Sequence, residues 1–196
     1  AAVRHLANPD VGAVAGSVGH IYDNNFRVTS RTINGGNSIN FGYDNDGLLT
    51  QTGALTLSRN PQNGLLTGTT LGNVTDSWTY NSFAEPTNYT ASVAGAPVYS
   101  TTFTRDKLGR ITTKSETIQG VTENYTYGYD TAGRLETVTK NGSLVSNYTY
   151  DANGNRLSAQ RSTDPEPLTT YTYDAQDRLL STQYSALSTQ YSYNPN

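Results

Sequence analysis

The sequence predicts an all-β protein, an array of antiparallel β-hairpin repeats. Three observations carry the prediction: a composition unlike that of helical proteins, one motif written over and over, and a two-residue alternation of aromatic side chains inside that motif. Only 15% of the 196 residues are charged, against roughly 25% in ordinary globular chains, and 18 are glycine. Apolar residues make up 34%, yet the chain holds 15 tyrosines, 4 phenylalanines and 1 tryptophan, and disordered chains are poor in aromatics. A length of 196 residues fits one domain or one short array.

The clearest copies of the motif run Tyr127-Gly-Tyr-Asp-Thr-Ala-Gly-Arg-Leu135, Tyr148-Thr-Tyr-Asp-Ala-Asn-Gly-Asn-Arg-Leu157 and Tyr171-Thr-Tyr-Asp-Ala-Gln-Asp-Arg-Leu179. Weaker copies are Phe41-Gly-Tyr-Asp-Asn-Asp-Gly-Leu-Leu49 and Phe103-Thr-Arg-Asp-Lys-Leu-Gly-Arg-Ile111. Degenerate ones lie at Tyr22–Val28, Arg59–Leu66 and Trp78–Phe83, and another opens at Tyr191-Ser-Tyr-Asn194. Anchored on the Asp or Asn, they fall at positions 23, 44, 60, 81, 106, 130, 151, 174 and 194, an average spacing of about 21 residues, which is a repeat-protein period. The array is assigned to 21–196, as about eight to nine units. Residues 1–20, rich in Ala, Gly and Val, read as the tail of an incomplete upstream unit.

Each copy reads as a hairpin. In Tyr125-Thr-Tyr-Gly-Tyr129 the rings fall at every second residue and so share one face of a strand. The Asp that follows can bond its own backbone two residues on, and the Gly supplies a positive φ, so Asp-x-x-Gly is a turn with a mechanism. Arg-Leu then opens the return strand, which ends in a second tight turn such as Asn141-Gly142. The repeat signature is therefore Tyr43, Asp44 and Gly47; Asp106, Gly109 and Arg110; Tyr129, Asp130, Gly133, Arg134 and Leu135; Tyr150, Asp151, Gly154, Arg156 and Leu157; Tyr173, Asp174, Arg178 and Leu179. These residues are assigned a structural role. Stacked hairpins are expected to set a Tyr of one repeat beside that of the next, and the arginines to cover the rings or pair with the turn Asp of an adjacent unit. Ser162–Leu168 and Ser92–Pro97 are expected to be protruding loops.

These copies resemble the YD repeat of Rhs-type proteins, a family that includes bacterial polymorphic toxins, shell components of insecticidal Tc toxins, and the animal teneurins. The resemblance runs from about Tyr22 to Asn194 and is most specific at Tyr129–Leu135 and Tyr150–Leu157. It implies a long β-sheet ribbon that spirals into a hollow shell, which in the toxins encloses a C-terminal effector. It implies an extracellular or cell-surface location, scaffolding without catalytic residues, and other repeats of the same or a longer chain as partners. Eight or nine repeats are too few to close a full shell. The family's autoprotease carries an Asp-Pro-x-Gly core, whereas Asp164-Pro165-Glu166-Pro167 lacks the Gly, so no protease residues are carried over.

The residues themselves point to no active site. Cysteine is absent, which removes thiol chemistry and disulfides. With no Met and Ala1 first, the chain reads as a processed product or a piece of a longer one. Ala15-Gly-Ser-Val-Gly19 only approaches the Gly-x-Ser-x-Gly elbow, and His5 and His20 are not placed to serve Ser17. Asp44-Asn-Asp-Gly47 and Asp151-Ala-Asn-Gly-Asn155 have oxygen-rich side chains but not the Gly and Glu spacing of a calcium loop. The Asn-x-Thr/Ser sites at Asn73, Asn88, Asn124, Asn141 and Asn147 read as by-products of the strand pattern. A net charge of −3 gives no reason to expect nucleic acid, and no apolar run is long enough to insert in a membrane. Neither cofactor nor metal is expected. The reading is a non-enzymatic scaffold, with head-to-tail self-association and a toxin cargo as possible partnerships. The alternative is a cell-surface glycan-binding or adhesion module using exposed Tyr, Arg and Asn.

Overall fold

A computed structural model describes residues 2–5, 16–162, 168–184 and 187–193. The fold is all-β, and no helix occurs among the described residues. The chain forms two compact units, Ala1–Ser100 and Thr101–Asn196. In the first, β1 (Ala2–His5), β2 (Ser17–Tyr22), β3 (Val28–Ile33), β4 (Ile39–Tyr43), β5 (Leu49–Thr52), β6 (Leu55–Arg59), β7 (Leu66–Leu71), β8 (Val74–Tyr80) and β9 (Pro86–Val93) follow one another. Each pairs antiparallel with the next. Strand β10 (Ala96–Arg105) leads into the second unit. There β11 (Ile111–Ile118), β12 (Val121–Tyr129), β13 (Leu135–Lys140), β14 (Ser143–Tyr150), β15 (Arg156–Arg161), β16 (Leu168–Tyr173), β17 (Leu179–Tyr184) and β18 (Leu187–Gln190) repeat the same meander.

The strands meet at two kinds of turn. At the Asp or Asn anchors the side chain shapes the backbone: Asp130 Oδ1 accepts the N–H of Ala132 at 3.0 Å and that of Arg134 at 2.8 Å. Its backbone N–H donates to the Arg134 carbonyl, and its carbonyl accepts from Gly133. The residue three past the anchor takes a left-handed conformation, as Gly47, Gly109, Gly133 and Gly154 do, but Phe26, Ala84 and Asp177 do so as well, and at the Asn60 turn Gly64, four past the anchor, takes that place. At the opposite ends of the strands, Asn34-Gly35, Ala94-Gly95, Gln119-Gly120 and Asn141-Gly142 have positive φ at both central positions, the mirror-image turn whose twist matches paired strands. Ser92–Pro97 is therefore not a protruding loop: Ala94 accepts a φ of 50° and the chain returns in two residues, with Pro97 already in β10. The predicted loop at 163–167 lies outside the described residues.

Every YD-type hairpin whose register is described carries a bulge. Thr29, Thr50, Thr67, Thr87, Glu136, Leu157 and Leu180 have no residue opposite them, because the pairing slips by one next to the Tyr or Arg that precedes the anchor. Such an insertion bends the strand and adds twist. On the solvent face hydroxyls clasp across the slip, Thr149 to Ser158 at 2.6 Å and Thr172 to Ser181 at 2.7 Å. Almost nothing is fully covered. Ala159, at 3% exposure, is the buried apolar residue among those described, with Ser30 and Thr101 as the buried polar ones. The described residues form no central core, so their cohesion comes from contacts between successive repeats.

Candidate functional site

The repeated tyrosine joins each hairpin to the one before it. The Tyr129 hydroxyl donates to the Ile111 carbonyl at 2.7 Å, and Tyr150 to Leu135 at 2.7 Å. Tyr43 reaches Val28, Tyr80 reaches Leu66, Tyr173 reaches Arg156 and Tyr193 reaches Leu179 in the same way. The accepting carbonyl belongs to the first residue of the previous return strand, just past the turn. Where Arg59 replaces the tyrosine, its Nε donates to the equivalent Leu49 carbonyl at 3.0 Å, and its Nη1 to Gly64 at 2.9 Å. A different side chain thus makes the same connection.

The arginines occupy the space between the turn and the next ring. Arg134 Nε lies 2.7 Å from Asp130 Oδ2, its guanidinium carbon is 4.6 Å from the centre of the Tyr150 ring, and its Nη1 donates to the Asp151 carbonyl at 2.7 Å. Arg27 over Tyr43, Arg110 over Tyr129 and Arg178 over Tyr193 repeat the stacking. Each also pairs with an Asp, at 2.7–2.8 Å, but with that of its own turn and not of an adjacent unit. The four-residue step from anchor to arginine closes the pair inside one turn. The expected tyrosine-on-tyrosine ladder is likewise not the repeating contact. At four turns a guanidinium lies between successive repeats, and the close ring pairs His20–Tyr22, Trp78–Tyr89 and Tyr89–Tyr99 follow no repeat.

The electrostatics follow from the bonds. The backbone N–H of Arg134 holds the Asp130 carboxyl below the ordinary carboxylate range, partial burial opposes it, and the guanidinium adds to the lowering. Asp23 and Asp174 are lowered by the same contacts from Arg27 and Arg178, and Asp106 is lowered despite the burial that works against it. Asp151 is lowered chiefly by the Asn155 side chain. That last turn departs from the others. Asn155 sits four past the anchor and donates to Asp151 Oδ2 at 2.9 Å, which moves Arg156 and Leu157 one place along. Arg156 instead lies 4.8 Å from the Tyr171 ring and 5.8 Å from the Tyr148 ring, and Nη2 donates to the Tyr171 hydroxyl at 3.2 Å. Asn153 and Asn155 reach the next turn through Asp177 Oδ1, at 2.9 and 2.7 Å.

The remaining candidates are absorbed into the same framework. Asp44 Oδ1 is taken by the N–H groups of Asp46 and Leu48, and no group of three His, Cys, Asp or Glu positioned for a metal occurs among the described residues. Ser17 opens β2, and its N–H donates to Asn34 Oδ1 at 2.7 Å, so it has a strand context and not the strand–turn–helix of a nucleophile elbow. The Tyr-to-carbonyl bond and the bulge escape sequence reasoning, because both depend on register between repeats. Their only linear trace is the recurrence of the anchor at an average of about 21 residues.

A family model described as Teneurin YD-shell matches residues 4–196. Among solved structures, a Photorhabdus luminescens Tc holotoxin pore structure matches at a TM-score of 0.71 and 16% identity, over 93% of this chain and 11% of that one. The chain thus spans about a ninth of that larger chain, and the likeness establishes the fold. A porin-like protein from Bacteroides uniformis aligns over 88% of this chain and 90% of that one at 12% identity, but its TM-score of 0.34 carries no argument. No curated relative matches.

Proposed function

The chain belongs to the Teneurin YD-shell family, and we propose that it is a non-enzymatic stretch of shell wall that encloses or displays a toxin or effector outside the cell. The observation that carries this reading is the connection between repeats. The repeated tyrosine hydroxyls and most of the ring-face arginines are spent on holding one hairpin to the next, while the anchor aspartates fix the turns from which those arginines reach out, and this is what a wall requires. Partners on this reading are further repeats, of this chain or a longer one, and the enclosed cargo. Residues 21–196 form the wall and 1–20 continue an upstream unit. Pairing of free sheet edges would allow head-to-tail self-association.

Enclosure is testable in the longest natural polypeptide that carries the array. Protease should spare the cargo in the native protein and digest it once Tyr129 and Tyr150 are both replaced by Ala. Cargo digested equally in both proteins would sink the proposal. The alternative, a glycan-binding or adhesion module, draws support from the Trp78–Tyr89 and His20–Tyr22 ring pairs, since Tyr43, Tyr129, Tyr150 and Tyr193 are covered by guanidinium groups of the chain itself.

A further inference from the structure

One patch of the ring face has the array's chemistry with a part missing. At Asp130–Arg134–Tyr150 a carboxylate, a guanidinium and an aromatic ring lie together. On β8 and β9, Trp78 and Tyr89 stand directly opposite each other with ring centres 4.3 Å apart, and Tyr99 stacks 5.9 Å beyond Tyr89. Asp76 precedes Trp78 by two residues and so shares its face of the strand. Its Oδ1 accepts the Thr69 N–H at 2.6 Å, and its Oδ2 lies 3.5 Å from the Tyr89 hydroxyl. Among the described residues no lysine or arginine pairs with Asp76 or lies over Trp78 or Tyr89. The sequence explains the gap: no Lys or Arg stands between Arg59 and Arg105, a stretch whose charged residues are Asp76 and Glu85.

We propose that Asp76, Trp78 and Tyr89 form a docking site for an arginine side chain of a partner polypeptide. The argument is complementarity. A guanidinium can stack flat on a ring while its forked N–H groups meet a carboxylate, a combination that a sugar does not offer. The array uses that combination at four of its own turns with an internal arginine. Partial burial, followed by the charge of Asp76, pushes the Tyr89 hydroxyl up, in keeping with a carboxylate beside the ring pair. A scaffold role needs nothing from this site, so the site can fail while the wall stands.

Trp78 is the sole tryptophan, and its emission reports on the patch directly. The intact chain would be titrated with a short Gly-Arg-Gly peptide and with the same peptide carrying citrulline, its uncharged isostere. A saturable change in emission is expected for arginine, with the citrulline peptide bound at least about five-fold more weakly. Asp76→Asn keeps an acceptor for the Thr69 N–H and should weaken the arginine peptide about five-fold, and Tyr89→Leu about ten-fold. Equal binding of the two peptides, no saturable change, or an unaffected Asp76→Asn variant would each overturn the proposal. A response to neutral oligosaccharides alone would overturn it in favour of a sugar.

Discussion

Tyr150 shows how one side chain holds two repeats. Its ring is the floor on which the Arg134 guanidinium rests, and its hydroxyl satisfies the Leu135 carbonyl just past the preceding turn. The two contributions can be separated. Tyr150→Phe keeps the ring and removes the donor, leaving a partly buried carbonyl without its partner. The expected loss is about 1 kcal/mol, read as a lower urea midpoint at unchanged slope. Tyr150→Ala removes the floor as well and should cost about 2–4 kcal/mol. If the Phe variant melted with the parent, the hydroxyl bond would be incidental and the ring alone would join the repeats. Arg59 makes the opposite case, since it reaches the Leu49 carbonyl without any ring. The connection to that carbonyl is common to both side chains.

At the scale of the element, the anchor turns other than that at Asn60 place a left-handed residue three past the Asp or Asn, and the copies meet the demand unequally. Gly133 does so at a φ of 83°, and a Cβ there would also come within 3.1 Å of Arg110 Nη1. Ala84 does so at 62° with a side chain that disfavours it. Gly133→Ala is therefore expected to destabilise by about 1–2 kcal/mol, and Ala84→Gly to stabilise by about 0.5 kcal/mol once the extra freedom of the unfolded glycine is subtracted. Equal effects of the same sign would mean that conformation is not what selects glycine here. Thermal melts of the two variants decide it. The turn was legible in the sequence because Asp-x-x-Gly carries its own bonding partners within a few residues. The bulge at Glu136 or Leu157 was not, because it exists only as a slip between two strands. The displacement of Arg156 showed in the sequence as one extra residue, but its consequence did not, because only geometry tells that Asn155 reaches Asp151 in the arginine's place. The tyrosine-to-carbonyl bond spans 14 to 18 residues and fixes no local pattern at either end. The Trp78 patch was hidden for a related reason: what distinguishes it is a cation that is absent.

For the whole molecule, the lack of a common core makes stability a sum over neighbouring repeats, so a perturbation stays where it is applied. Acid applies one selectively. The carboxyls of Asp106, Asp130 and Asp174 lie below their ordinary range in the folded chain. A depressed folded value means that their contribution is complete above the unfolded carboxylate range, near pH 4, and is lost as the pH falls through the folded values beneath it. The turn at Asn60 has no carboxyl at its anchor: Asn60 Oδ1 accepts the Gln62 N–H at 2.8 Å at any such pH. Hydrogen exchange, corrected for the intrinsic rate at each pH, should therefore show the amides of Arg110, Arg134 and Arg178 losing protection below about pH 4. Gly64 and Leu65 in the Asn60 turn should hold theirs over the same range. Simultaneous loss at all four turns would show that the array unfolds as one cooperative body, and nearest-neighbour summation would then be the wrong description of this chain.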